Sequence, residues 1–314
     1  MKQHRQTFTE VAKCFLLLSS IALIPFSACA PAESAPPGFV VDDLGRSVNI
    51  ETVPQGIISL APANTEILFA LGLGEKVVGV TEFCNYPREV LDKEEIGGFS
   101  TPDIEKIIAL QPDLILATSI HAKEIIPALE ERGLTVFALA PRNLDGILEN
   151  IRVVGKITGK EKEAFELVAQ MESRIEAVTD KIKGLERPRV FYITWHDPLW
   201  SAGSGTIINE LIEEAGGVNI FQDIAGHGVV SFETVIMRNP EVIIACTGHG
   251  EAEGKPFEWA KEEPRLGVTE ACKNNRVYQI DADLANRHGP RMVDALEEFA
   301  HFIHPEVFNN MGGD

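Results

Sequence analysis

Beyond residue 38 the chain alternates short β-branched runs with stretches whose apolar residues recur every three or four positions. Residues 57–60 read as a strand and 62–71 as a helix, in which Asn64 or Thr65 can cap and Glu66 meets the positive end of the helix dipole. Strands at 77–80, 113–117 and 135–139, with helices at 103–110 and 125–132, complete a first half. After Pro188 the alternation restarts, with strands at 189–194, 241–246 and 276–280 and helices at 206–215, 232–237 and 289–303, the last carrying Pro290 in its first turn. Strands separated by helices predict parallel sheets covered on both faces.

Between the halves lie a helix at 146–157 and the longest periodic stretch of the chain, 159–185. Its apolar positions Ala164, Leu167, Val168, Met171, Ile175, Val178, Ile182 and Leu185 step by three and four, which buries one face over about seven turns. A helix of that length suits a rigid strut. The expected fold is α/β, with two parallel-sheet lobes at 39–157 and 187–314 joined by a single long helix at 158–186.

The first residues differ in kind. Lys2, His4, Arg5 and Lys13 precede an apolar run of about fifteen residues, short of the ~20 that a spanning helix needs, so 1–28 read as a secretory signal. The run ends Phe26-Ser27-Ala28-Cys29, which resembles the site at which bacterial lipoproteins are cut and acylated on cysteine. Cys29 is the expected lipid anchor, and 29–38 are a flexible tether.

A formal charge of −19, from 28 basic against 47 acidic residues, excludes a nucleic-acid partner. Past the signal and anchor, Cys84, Cys246 and Cys272 make an odd number with no CxxC spacing, so no disulfide framework is indicated; one Cys246–Cys272 bridge stays open. Enzyme signatures are missing. Ser201-Ala-Gly-Ser-Gly205 lacks the spacing of a nucleophile elbow, no phosphate-binding loop occurs, and Gly72-Leu-Gly74 has no third glycine in register. His301 and His304 with Glu297 and Glu298 form a candidate metal set, but such residues more often form a solvated helix end. His196-Asp197 lacks a third partner for acid/base work. No catalytic residue, resident metal or cofactor of its own is expected.

Aromatic and polar residues instead gather just past strand ends, where open α/β sheets bind ligands. Phe83 and Tyr86 follow the strand at 77–80, and Phe99 follows residues 95–98. Trp195, His196, Asp197 and Trp200 follow 189–194, and His227 precedes Val229. Two lobes each presenting aromatics would clamp a large flat ligand.

Several runs make a resemblance specific: Ile57-Ile-Ser-Leu-Ala-Pro-Ala-Asn-Thr-Glu66, Val78-Gly-Val-Thr-Glu-Phe-Cys-Asn-Tyr-Pro87, Asp197-Pro-Leu-Trp-Ser-Ala-Gly203, Ala215-Gly-Gly-Val-Asn-Ile-Phe221 and Arg287-His-Gly-Pro-Arg291. Over nearly all of 39–308 the chain resembles the binding proteins of ABC importers for vitamin B12, iron–siderophores and haem, nearest the cobalamin-binding members. The resemblance implies two Rossmann-like lobes with the ligand between them, and a monomer that delivers cargo to a permease dimer driven by a cytoplasmic ATPase. It assigns Glu105 and Glu233 to docking on the permease, Phe83, Phe99 and Trp200 to contact with the corrin, and Asp283 and Arg287 to polar contacts with the ligand. Cobalamin or a related corrinoid is the implied cargo, with haem or a ferric siderophore as the alternative. An anionic siderophore calls for several pocket cations, and the loops offer mainly Arg287 and Arg142. The chain departs from the B12 pattern at His227, where tryptophan is expected, and at Thr118, which replaces another aromatic. His227 either hydrogen-bonds a ligand amide or carboxylate, or approaches the ligand's metal axially.

Overall fold

The chain opens on a hairpin that the sequence did not announce. The computed structural model describes residues 38–247 and 255–308, all within one compact unit. Strands β1 (Gly38–Val41) and β2 (Ser47–Ile50) pair antiparallel across a turn closed by Asp42, whose carboxylate accepts from the backbone of Leu44, Arg46 and Ala138 and from the Arg46 guanidinium. The expected signal, Cys29 anchor and tether lie outside the described residues.

The amino-terminal lobe then runs β3 (Ile57–Ser59), α1 (Pro62–Ala70), β4 (Val77–Val80), α2 (Ile104–Ala109), β5 (Leu114–Ala117), α3 (Ile125–Glu130) and β6 (Val136–Ala138). Its sheet is wholly parallel in the order β4-β3-β5-β6. Every residue of β5 is buried, the continuous apolar pattern expected of a parallel strand covered on both faces. Next come α4 (Leu144–Thr158) and α5 (Glu161–Ile182). The carboxy-terminal lobe comprises β7 (Arg189–Ile193), β8 (Trp195–His196), β9 (Leu199–Ala202), α6 (Ile207–Glu214), β10 (Val218–Asn219), β11 (His227–Val229), α7 (Phe232–Arg238) and β12 (Val242–Cys246). It ends with α8 (Lys255–Glu262), α9 (Glu270–Lys273), β13 (Val277–Ile280), α10 (Ala282–Asn286), α11 (Met292–Ile303) and α12 (Pro305–Phe308).

The second parallel sheet has the order β10-β7-β12-β13, which matches the first strand for strand: β7 corresponds to β3, β10 to β4, β12 to β5 and β13 to β6. The carboxy-terminal lobe adds a small antiparallel sheet, β11-β9-β8, with β8 and β9 between its first strand and first helix and β11 before α7. That sheet is a departure from the expected plain βαβ pattern.

Helix α5 is the strut, 22 residues and about 33 Å long at 1.5 Å per residue. It buries Ala164, Val168, Met171 and Val178, and these belong to a core continuous with α4 and β3 on one side and α6, α11 and β12 on the other. The lobes thus share one core. Gly159, at φ +70°, turns the chain between α4 and α5, a left-handed position that suits glycine. At Gly155 the two helices lie so close that an added Cβ would sit 2.4 Å from the Ala164 methyl.

Three local expectations are corrected. Asn64 and Thr65 do not cap α1; both are buried inside it, where Asn64 donates to the Ala117 carbonyl and Thr65 to Ser59 Oγ. Pro62 at the first helical position replaces a side-chain cap. Helix α11 begins at Met292, because Arg287 is extended and residues 289–291 form a bend and turn ahead of the helix. Cys246 and Cys272 are both free thiols, and the Cys246 thiol donates to the Thr194 carbonyl.

Candidate functional site

The cleft between the lobes is built from strand ends. A cavity of about 440 Å³ is lined by Ala61, Pro62, Ala63 and Asn64 after β3, Thr118 and Ser119 after β5, and Leu139 to Arg142 after β6. Phe99 and the hairpin residues Asp43 and Leu44 complete the amino-terminal wall, and Asn286, Arg287 and His288 come across from the other lobe. Its size falls within the roughly 300–1,000 Å³ of small-molecule sites. The lining mixes one aromatic and several aliphatic groups with amides and hydroxyls.

Of the ten residues expected to touch ligand, Phe99 and Arg287 line this cavity. Cross-strand pairing in the small sheet sets Trp195 opposite Trp200, Trp200 opposite Val229, and His227 opposite Ala202, so both tryptophans and His227 share one face. None of these three lines the cleft cavity, although His227 is near enough for its charge to act on His288 of the cleft wall. His196 and Asp197 lie elsewhere. They line a separate cavity of about 560 Å³ with Phe232, Trp259 and Arg265, where the His196 ring lies 5.6 Å from that of Trp259.

Phe83, Tyr86, Asp283 and Arg287 meet in a clasp that joins the lobes. Glu66 on α1 is 3% exposed and accepts two bonds from Arg291, at 2.6 and 3.0 Å. Arg287 lies 3.5 Å from the same carboxylate, donates to Asn85 Oδ1 and the Phe83 carbonyl, and pairs with Asp283 at 2.6 Å. Asn85 in turn donates to Asp283, and the Arg291 guanidinium lies 4.1 Å over the Tyr86 ring. The Phe83 and Tyr86 side chains stay half exposed. Glu66 therefore serves this clasp in addition to lying in the first turns of α1. The clasp could not be read from spacing, because its two sides are more than 190 positions apart in sequence.

Arg142, by contrast, is exposed at the cleft with no ion pair or hydrogen bond among the described residues. His288 was not singled out in the sequence. Burial in the cleft, and after that the charge of His227, hold its imidazole below the ordinary value. His227 reaches solvent, yet desolvation by its surroundings lowers its pKa too. Both rings are therefore neutral at pH 7.

Glu105 and Glu233 occupy equivalent places. Each is the second residue of a short helix that feeds the third strand of its lobe's connectivity, α2 into β5 and α7 into β12. Asp103 caps the first helix by accepting from Glu105 and Lys106, and Ser231 caps the second by accepting from Thr234. Both glutamates are exposed. Bonds from its own backbone N–H and from Ser231 lower the Glu233 pKa, so it is fully charged at neutral pH.

The candidate metal set on α11 does not assemble. His304 is buried, with its ring against Glu306 and the Gly216 carbonyl, while His301 is exposed, and no cluster among the described residues could hold a metal ion.

Residues 57–284 match the family model described as periplasmic binding protein, and the chain belongs to that family. It is 34% identical over 281 residues to an uncharacterised ABC transporter substrate-binding lipoprotein, YvrC, of Bacillus subtilis, covering 87% of each chain. It is 33% identical over 252 residues to a vitamin B12-binding protein of Vibrio campbellii, covering 79% of this chain and 89% of that one. The solved periplasmic heme-binding protein RhuT from Roseiflexus superposes with a TM-score of 0.72 at 27% identity, over 81% of this chain and 99% of the other. Members of the family are solute-binding transport components, so the chain is not an enzyme.

Proposed function

We propose that this extracytoplasmic substrate-binding component of an ABC importer captures cobalamin or a related corrinoid in the cleft between its lobes. The observation that carries the reading is the commitment of Arg287. Of the two cleft arginines, Arg287 already serves Asp283, Asn85, the Phe83 carbonyl and Glu66, which leaves Arg142 as the uncommitted one. A multiply anionic ferric siderophore would find too little positive charge there. An amide-fringed corrin finds Asn64, Thr118, Ser119 and Asn286 along the walls and aromatic surface at Phe99, with Trp195 and Trp200 on one face of the small sheet. The vitamin B12-binding relative supports the same cargo.

Haem is the second reading, favoured by the RhuT likeness and by two neutral histidines, His288 on the cleft wall and His227 near enough to influence it. His227 serves the corrinoid as a hydrogen-bonding group in the first reading and as an axial ligand in the second.

Delivery follows from the matched helix starts. Exposed Glu105 and Glu233, at equivalent positions of two lobes with the same strand order, suit a permease dimer that offers the same basic site twice. Cys29, acylated after removal of residues 1–28, would hold the monomer at the membrane surface. The test is retention of colour by the purified mature chain on size exclusion after separate addition of cyanocobalamin, haemin and a ferric siderophore. Cyanocobalamin should co-elute. Retention of haemin alone would move the second reading to first place, and retention of the siderophore alone would defeat both.

A further inference from the structure

His121 follows β5 in a single 3₁₀ turn, Ser119–His121, and is fully buried at 0% exposure. Its ring joins two backbones. Nδ1 accepts the Thr118 N–H at 3.1 Å, and Nε2 lies 2.7 Å from the Phe99 carbonyl oxygen. A backbone N–H can only donate and a carbonyl can only accept, so the ring is the neutral tautomer with its proton on Nε2. The Thr118 side chain accepts from the His121 N–H in return, and the His121 ring packs on edge against Phe99 at 5.5 Å.

Each segment tied by this ring lines the cleft: Phe99 on one, Thr118 and Ser119 on the other. An aliphatic side chain would fill the same volume without a buried polar group to satisfy. Burial lowers the imidazole pKa, in keeping with the neutral form that the two bonds demand.

We propose that His121 is a positioning residue for ligand binding, a rigid spacer that holds the Phe99 segment and the Thr118–Ser119 turn at a fixed separation and so sets the width of the amino-terminal wall of the cleft. It touches no ligand itself. The proposal rests on the cleft being the ligand site, and it holds for either chelate.

Three substitutions separate the two bonds. His121→Asn keeps an acceptor at the Nδ1 position, His121→Gln keeps a donor near the Nε2 position, and His121→Phe keeps a ring and neither bond. The first arm is amide hydrogen exchange of the ligand-free mature chain: Thr118 should stay protected in His121→Asn and lose protection at least tenfold in His121→Gln and His121→Phe. The second arm is affinity for whichever of cyanocobalamin or haemin the wild type retains. It should fall about tenfold or more in His121→Phe and by smaller factors in the other two. Affinity within twofold of wild type in His121→Phe, despite lost Thr118 protection, overturns the proposal. So do losses that merely follow the urea midpoints of the three variants, since a purely structural histidine would give that order. If wild type retains neither chelate, the cargo reading fails, and unchanged Thr118 protection in His121→Phe would then overturn the tether on its own.

Discussion

Glu66 on the first helix and Arg291 at the start of the last long helix meet through two bonds, at 2.6 and 3.0 Å, with the carboxylate 2% exposed and the guanidinium side chain 19% exposed. They are 225 positions apart and belong to different lobes, so the pair fastens the lobes to each other. Removing one partner strands the other. Glu66→Ala should lower unfolding stability by about 3–5 kcal/mol, the range for breaking a buried ion pair by loss of one partner. Urea denaturation checks this, and a loss below about 1 kcal/mol would show that the clasp is solvated and idle.

The cleft histidine His288 gives a pH dependence with a definite sign. Its folded pKa lies below the ordinary value of about 6.5, so the unfolded chain binds the proton first as pH falls. Its neutral form costs no stability above pH 6.5, and stability is lost as pH drops from there toward the lowered pKa. Melting temperatures of wild type and His288→Asn should therefore run parallel between pH 7 and 8, and below pH 6 the wild type should fall more steeply. Parallel curves down to pH 5 would contradict the assignment.

Glu105 and Glu233 are exposed and absent from the cleft lining, so reversing both to arginine should leave chelate affinity within twofold while uptake in cells falls to below about a tenth. Equal loss of affinity and uptake would remove the docking role.

The interlobe cleft and the separate cavity of the carboxy-terminal lobe should behave differently. Trp200→Ala, on the sheet face shared with Trp195 and His227, should weaken chelate binding by about 1–3 kcal/mol through lost buried contact. Trp259→Ala, which opens the separate cavity beside His196, should leave it unchanged. The reverse order would place the ligand in the second cavity.

The large periodicities were legible in the sequence because one face of each element is buried, as the 22-residue strut and the fully buried β5 and β12 show. Short irregular pairings were not. The turn at Asp197-Pro198 that folds β8 onto β9 sits between two- and four-residue strands, too short for a periodic signal, and the β1–β2 hairpin depends on the bonds Asp42 makes with Arg46 and with residue 138. At the site, residue types past strand ends located Phe99, while resemblance marked Asp283 and Arg287 without showing that they pair in a clasp. His121 and His288 escaped notice for a physical reason: a histidine's role is set by its surroundings, which for His121 are the backbone atoms of Thr118 and Phe99 and for His288 are burial and the charge of His227, 61 positions away.

The central claim is that the interlobe cleft binds one corrinoid. Calorimetric titration of the mature chain with cyanocobalamin, for wild type and Phe99→Ala in parallel, tests it most directly. Saturation at one ligand per chain, with affinity reduced at least fivefold by Phe99→Ala, is the predicted result; absence of saturable heat with cyanocobalamin, or binding indifferent to Phe99, would contradict it.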